Sequence, residues 1–280
     1  MNDIPVYNSK LKWVILGVGF AFLYLPILIL IIYSFNENRL VTVWSGFSFK
    51  WYFELLEDDL LMGGVKLSLI IGFLSASAAV VLGIIAAFVL NRFGKFKGET
   101  GFAFMITAPL VMPEVITGLS LLLLFIAMGQ VFDIFSQRGM MTIWIAHVTF
   151  CTAYVTVVVS SRLQEVDRSI EEAAMDLGAP PWKVFFQITL PSIAPAILAG
   201  WLLAFTLSLD DLVIASFVSG PSATTLPMVV FSSVRLGVSP KINALATLTI
   251  LAVSCATFIA WWLMAKAEKR RLLEMKMSQQ

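Results

Sequence analysis

EAAMDLGAPPWKVFFQITLP, residues 172–191, interrupts a chain that is otherwise built of long apolar runs. Over 165–178 the residues Ile170, Ala173, Ala174 and Leu177 recur at helical spacing and form one narrow apolar face, with Asp167, Glu171, Glu172 and Asp176 on the remainder. Gly178 stands where a helix C-terminus requires a left-handed residue. Pro180 and Pro181 then suit the first turn of a second helix, where a missing N–H costs nothing. That helix carries Trp182, Val184, Phe185, Phe186 and Ile188 and is expected to end at Pro191. Large aromatic side chains on a short polar segment need cover. A groove on a partner protein and the lipid headgroup layer both provide it, and periodicity does not choose between them.

Working outward, 59% of the 280 residues are hydrophobic, 13% are charged, and the mean hydropathy is +0.89. A soluble domain carries about a quarter charged residues, so most of this surface faces lipid. A bilayer core needs roughly 20 apolar residues per helix. Six segments qualify: 13–35, 65–90, 102–128, 141–160, 193–217 and 244–265. The first, WVILGVGFAFLYLPILILIIYSF, is too long for a signal-peptide core and reads as a retained span, kinked at Pro26. With the N-terminus inside, thirteen Lys and Arg fall on the inner segments and six on the outer ones. The positive-inside rule therefore places both termini, and the 165–191 loop, in the cytoplasm. The acidic loop ELLEDD, 54–59, then lies outside. A net charge of +1, with its basic residues spread over loops and tails, is no nucleic-acid surface. Cys151 and Cys255 lie in apolar runs and read as small hydrophobes. The single histidine leaves too few ligands for a zinc or haem site.

The loop satisfies a longer pattern at seven positions: Glu172, Ala173, Ala174, Gly178, Ile188, Leu190 and Pro191. It resembles the cytoplasmic loop of permease subunits of bacterial ABC importers. That resemblance implies an all-α polytopic membrane protein with six transmembrane helices and the type I ABC importer permease fold. The permease core would cover 65–263, preceded by a tail, span and periplasmic loop over 1–64 and followed by a basic cytoplasmic tail over 264–280. It also implies that 165–191 forms coupling helices docking on an ATP-hydrolysing subunit, with Trp182 and Phe185 joining the seven pattern residues at that contact. The stretches GFAFMITAPLVMPEVITGLSLLLLF (101–125), AFTLSLDDLVIASFVSGP (204–221) and SSVRLGVSPKINALATL (232–248) look like the permeases of polyamine importers. Over its full length the chain most resembles the second permease of the putrescine importers.

Ionisable residues inside spans are costly and each needs a reason. Glu114 follows Pro113 in PLVMPEVITG, where Pro109, Pro113 and Gly118 interrupt the third span. It either lines a pathway or caps a broken helix. Asp210 and Asp211 are expected two-thirds along a continuous fifth helix. Adjacent ionised carboxylates repel unless a cation sits near them, and a diammonium ion is a matched partner. A water-filled outer vestibule would also solvate them. His147, near Thr149 and Thr152, is either an interhelical hydrogen-bonding residue or a proton relay. In 219–244, Pro227 suits a helix start, and Gly237 and Pro240 its end, giving a re-entrant or interfacial hairpin.

The resemblance implies a non-enzymatic permease subunit of an importer in the bacterial inner membrane, expected to move putrescine by alternating access. It would pair with a second permease as a heterodimer, with two ATP-binding subunits and with a periplasmic polyamine-binding protein. No G-x-x-x-x-G-K-[ST] occurs in the chain, so ATP and its magnesium belong to the partner ATPase and no cofactor to this chain. Spermidine or another small cation is the alternative cargo. A proton-coupled carrier using Glu114, Asp210, Asp211 and His147 would leave the loop idle, and a protease of the two-aspartate kind would need separated aspartates.

Overall fold

The computed structural model describes residues 9–40, 43–132, 135, 137–237 and 239–277. The sequence-based readings of the first eight residues and of 278–280 lie outside that range. Thirteen α-helices are present among the described residues. They are α1 (Ser9–Ser34), α2 (Lys50–Leu56), α3 (Asp59–Arg92), α4 (Glu99–Val111), α5 (Glu114–Phe132), α6 (Met140–Glu165), α7 (Arg168–Asp176), α8 (Pro181–Val184), α9 (Leu190–Ser192), α10 (Ala194–Asp210), α11 (Val213–Val218), α12 (Leu226–Leu236) and α13 (Pro240–Met277). A π-helical turn, Phe185–Thr189, joins α8 to α9.

Among the described residues five helices are long and apolar enough to cross a membrane: α1, α3, α5, α6 and the part of α13 over Pro240–Ile259. The segment Pro181–Ser192 and α10, bent by 68° at Ile193, complete six spans. The expected six-helix membrane fold is therefore met. Its internal breaks differ from expectation in two places, the fifth span and Pro191.

Two compact units divide the chain. The first comprises Met1–Asp59 with Ser233–Gln280, so the first and last helices pack together. Within it, Lys241 Nζ bonds Asp58 Oδ2 at 3.0 Å and ties the start of α13 to the segment after α2. Asn36, fully buried, accepts from the Trp51 indole through its carbonyl at 2.6 Å and donates to Val43 O at 2.7 Å. These bonds satisfy the buried polar groups of the outer loop. Pro26 sits within a helix that continues through it.

The second unit, Leu60–Ser232, holds the core. The buried face of α3 is rich in small residues, among them Gly64, Ser68, Gly72, Ser75, Ala76, Ala79, Gly83 and Ala86. Small residues let helices approach closely where lipid removes the hydrophobic drive for helix association. Helix α6 buries Ile143, Ala146, Phe150, Val155, Val159 and Leu163 and packs most extensively on α10.

The third span, 102–128, is two helices, broken before Glu114 where its prolines interrupt it. Met112 is extended (φ −74°, ψ 135°) and α5 restarts after Pro113, whose carbonyl takes the Ile116 and Thr117 N–H groups. Nor is the fifth span continuous over 193–217: α10 stops at Asp210, and Asp211 is extended (φ −65°, ψ 122°) before α11. Pro191 does not end its helix either. It lies inside α9, after the Leu190 N–H has reached back to Phe185 O in the wider π geometry. A proline ring would clash with the i−4 carbonyl of a regular helix, and the π turn just before it changes that register.

Candidate functional site

Two breaks in apolar helices meet at one cleft. Helices α5 and α11 are in contact, and Gly118 of α5 makes that approach possible: a Cβ there would stand 2.8 Å from Phe217 Cδ2 and 3.3 Å from the Ile214 Cα. Beside this contact lies a cleft of about 500 Å³, whose walls include Pro113, Glu114, Tyr154, Asp210 and Asp211. All three intramembrane acids expected from the sequence thus face one space. Its lining also includes Phe150, Leu207 and Val213, and among the described residues no Lys or Arg. A cleft of this size, with convergent polar groups set among apolar side chains, has the character of a small-molecule site.

The three carboxylates are not equivalent. Glu114 is the first residue of α5, where the helix dipole favours negative charge, and its side chain is exposed on the cleft wall. Asp210, the last residue of α10, is exposed as well. Asp211 is buried behind it. Its Oδ2 accepts from Ala215 N–H at 2.7 Å and its Oδ1 from Ile214 N–H at 3.2 Å, satisfying the open amides at the start of α11. The same carboxylate meets His147 Nε2 at 3.1 Å. An ionised carboxylate only accepts, so Nε2 carries a hydrogen, and in the neutral ring Nδ1 then accepts the Ser208 hydroxyl at 2.6 Å. His147 is fully buried and joins α6 to α10 and α11. This is the interhelical role, with Ser208 and Asp211 as its partners. Thr149 and Thr152 bond back to carbonyls of their own helix. Nothing in the sequence pattern singles out Ser208.

The polar loop forms the expected helical hairpin. Asp167 caps α7, its carboxylate accepting from Ser169 N–H at 2.9 Å, which holds the carboxyl below the usual range. At the other end Gly178 has φ +87°, with Gly178 N–H on Met175 O at 2.9 Å and Ala179 N–H on Ala174 O at 3.1 Å. This is the paired closing motif in which a left-handed glycine satisfies the last carbonyls. Pro180 precedes α8 and Pro181 opens it, as the proline positions require.

The expected apolar face of α7 points outward. Leu177 is 90% exposed and Ile170 is exposed, while the charged residue beside them, Glu171, is buried. Of the expected contact residues, Glu172, Ala173, Gly178 and Pro191 are exposed, and Trp182 is 66% exposed. Ala174, Ile188 and Leu190 are half-buried. Phe185 turns inward against Phe88 of α3, their ring centroids 4.9 Å apart. Ile170, Leu177, Trp182 and Phe186 are thus exposed apolar side chains on a hairpin held in a defined shape.

Comparison with known proteins follows the same lines. The profile of a family described as "Binding-protein-dependent transport system inner membrane component" matches residues 79–272. The chain is 68% identical over 276 residues to the "Putrescine transport system permease protein PotI" of Escherichia coli (strain K12), covering 99% of this chain and 98% of that one. It is 41% identical over 247 residues to the "Spermidine/putrescine transport system permease protein PotC" of the same strain, covering 88% and 90%. Among solved structures, a chain of a bacterial ABC transporter involved in the import of the acidic polysaccharide alginate gives a TM-score of 0.72 at 17% identity, covering 91% of this chain and 98% of that one. A chain of the MetNI methionine ABC transporter, in an inward-facing form, gives 0.55 at 16%, covering 72% and 92%. These structures share the fold, that of type I importer permeases. The chain therefore belongs to the binding-protein-dependent transport system inner membrane components, the membrane-spanning permeases of ABC transporters.

Proposed function

We propose that this chain carries putrescine across the bacterial inner membrane by alternating access, driven by ATP hydrolysis on separate subunits. The observation that carries this reading is the cleft where two broken helices meet, lined by Glu114, Asp210 and Asp211 and, among the described residues, by no basic side chain. A diammonium ion supplies the two positive charges such a wall lacks. Glu114 and Asp210 are the exposed carboxylates and serve as its contacts. Asp211, already engaged by His147 and two amides, shapes the wall and contributes field. The name of the 68% identical relative supports putrescine over other cations.

The remaining assignments complete this reading. The core runs over 65–263, with both termini and the 165–191 hairpin in the cytoplasm. A second permease pairs with this chain, a periplasmic polyamine-binding protein delivers cargo, and two ATPase subunits each receive a coupling hairpin. The outward apolar face of α7 and α8 supports the last of these, because those side chains lie uncovered on the single chain. The segment 219–244, with α12 ending at Gly237 (φ +122°), is the part of the outer surface that meets the delivering protein.

The test is uptake into vesicles holding the assembled transporter, with putrescine, spermidine and uncharged 1,4-butanediol as cargo. A single Coulomb contact at 4 Å and an effective dielectric of 20 is about 4 kcal/mol before desolvation. After that offset, Asp210→Asn should slow putrescine uptake roughly five- to hundredfold. Glu114→Gln should act in the same direction and less strongly. Wild-type uptake in both variants would remove the acids from the path. Preference for butanediol would remove the diamine.

A further inference from the structure

A buried charged cluster lies outside the cleft, at the base of the 168–190 hairpin. Arg92, the last residue of α3, and Glu171 of α7 are 8% and 11% exposed at their side chains. Arg92 Nε lies 2.9 Å from Glu171 Oε2 as an ion contact not aligned for hydrogen bonding. The hydrogen bond runs from Nη2 to Oε1 at 3.3 Å. Arg92 also donates to Val166 O at 3.3 Å, at the end of α6. Thr189, in the π turn, donates its hydroxyl to the same Glu171 Oε1 at 2.8 Å. Next to this cluster Asn91 donates to Ser160 at 3.1 Å and accepts from Gln164 at 3.0 Å, and Arg168 donates to the Asn91 carbonyl.

We infer that Arg92, Glu171 and Thr189 form a brace that locks the 168–190 hairpin to the inner ends of α3 and α6, so that the hairpin and those two helices move as one body. Glu171 is central, since it meets a helix end on one side and the π turn on the other. Without it, the Arg168–Asn91 bond, the Phe88–Phe185 contact and the chain connections would leave the hairpin free to rock about Val166 and Ile193. The brace removes that freedom. Burial makes it demanding: with either partner deleted, the other charge is left without compensation in a confined site. Arg92 and Glu171 are positioning residues, set inward while the exposed residues of the hairpin stay available to a partner.

The consequence for transport rests on the proposed coupling role, so the experiment has two arms. Amide exchange is first measured over 168–190 in the assembled transporter, for wild type, Arg92→Ala, Glu171→Ala, the double variant and Arg92→Lys. Exchange should be at least tenfold faster in each single alanine variant. The double variant should be no worse than either single, because no lone charge remains. Arg92→Lys should recover most of the protection. Unchanged exchange in Arg92→Ala overturns the brace whatever the transport result, and so does a double variant whose effect is the sum of the two. In the second arm, Arg92→Ala should keep its ATPase subunits on co-purification while losing at least tenfold of its cargo-stimulated ATP hydrolysis. Faster exchange with full stimulation would refute joint motion of the hairpin and helices. Loss of that protection in wild-type complexes lacking any ATPase would show that docking and not the buried cluster holds the hairpin, and would overturn the brace.

Discussion

Asp210 and Asp211 are neighbours in sequence, yet replacing each by asparagine should break different things. Three donors converge on the Asp211 carboxylate: His147 Nε2 at 3.1 Å, Ile214 N–H at 3.2 Å and Ala215 N–H at 2.7 Å. Asparagine keeps one of the two oxygens and turns an NH2 toward the remaining donor. A hydrogen bond to a charged acceptor contributes about 1.5–3 kcal/mol, and a buried N–H left unpaired costs about 1–3 kcal/mol. Partial relaxation of α11 offsets some of this, leaving a loss of about 3 kcal/mol. At roughly 2–4 °C per kcal/mol for a domain of this size, Asp211→Asn should lower the unfolding midpoint by about 6–12 °C. Among the described residues no comparable set of donors converges on Asp210, which is exposed, so Asp210→Asn should keep the wild-type midpoint while slowing uptake. The assay pairs thermal unfolding of the purified assembly with putrescine uptake in vesicles from the same preparation. An unshifted midpoint for Asp211→Asn, or an equal drop for Asp210→Asn, would refute the division of roles.

Two further outcomes test the cytoplasmic hairpin. Gly178→Pro removes both the left-handed conformation and the Gly178 N–H that closes α7, and Glu172→Lys inverts an exposed charge. Each should leave the chain in the membrane and abolish uptake, and normal uptake at normal expression, for the glycine above all, would sink the docking assignment. Orientation is read from thiol labelling in a Cys255→Ser background, since Cys151 is buried and Cys255 exposed. Glu57→Cys should react with a membrane-impermeant reagent in intact cells, and Lys183→Cys only after the inner membrane is opened. The reverse pattern would put the hairpin in the wrong compartment for ATP.

What the sequence determined by itself was whatever chemistry acts over a few neighbouring residues. The hairpin was legible because Gly178, Pro180 and Pro181 constrain their own backbone, and the structure has the left-handed glycine and the proline-opened helix where they stand. The six spans were legible because a bilayer demands runs of apolar residues. Pro113 signalled the break before Glu114 for the same local reason. The break at Asp211 carried no such signal: LSLDDLVIAS has neither glycine nor proline, and the helix stops there because Asp211 satisfies the amides of α11 while His147 holds it from another helix. The outward turn of α7 was also hidden. Its periodicity marks an apolar face and a polar face without saying which is buried, and the answer depends on Arg92, 79 positions from Glu171. Only tertiary packing brings such residues within reach, and it placed a charged residue inside and the apolar ones out because the ion pair and the Thr189 hydroxyl compensate the buried carboxylate.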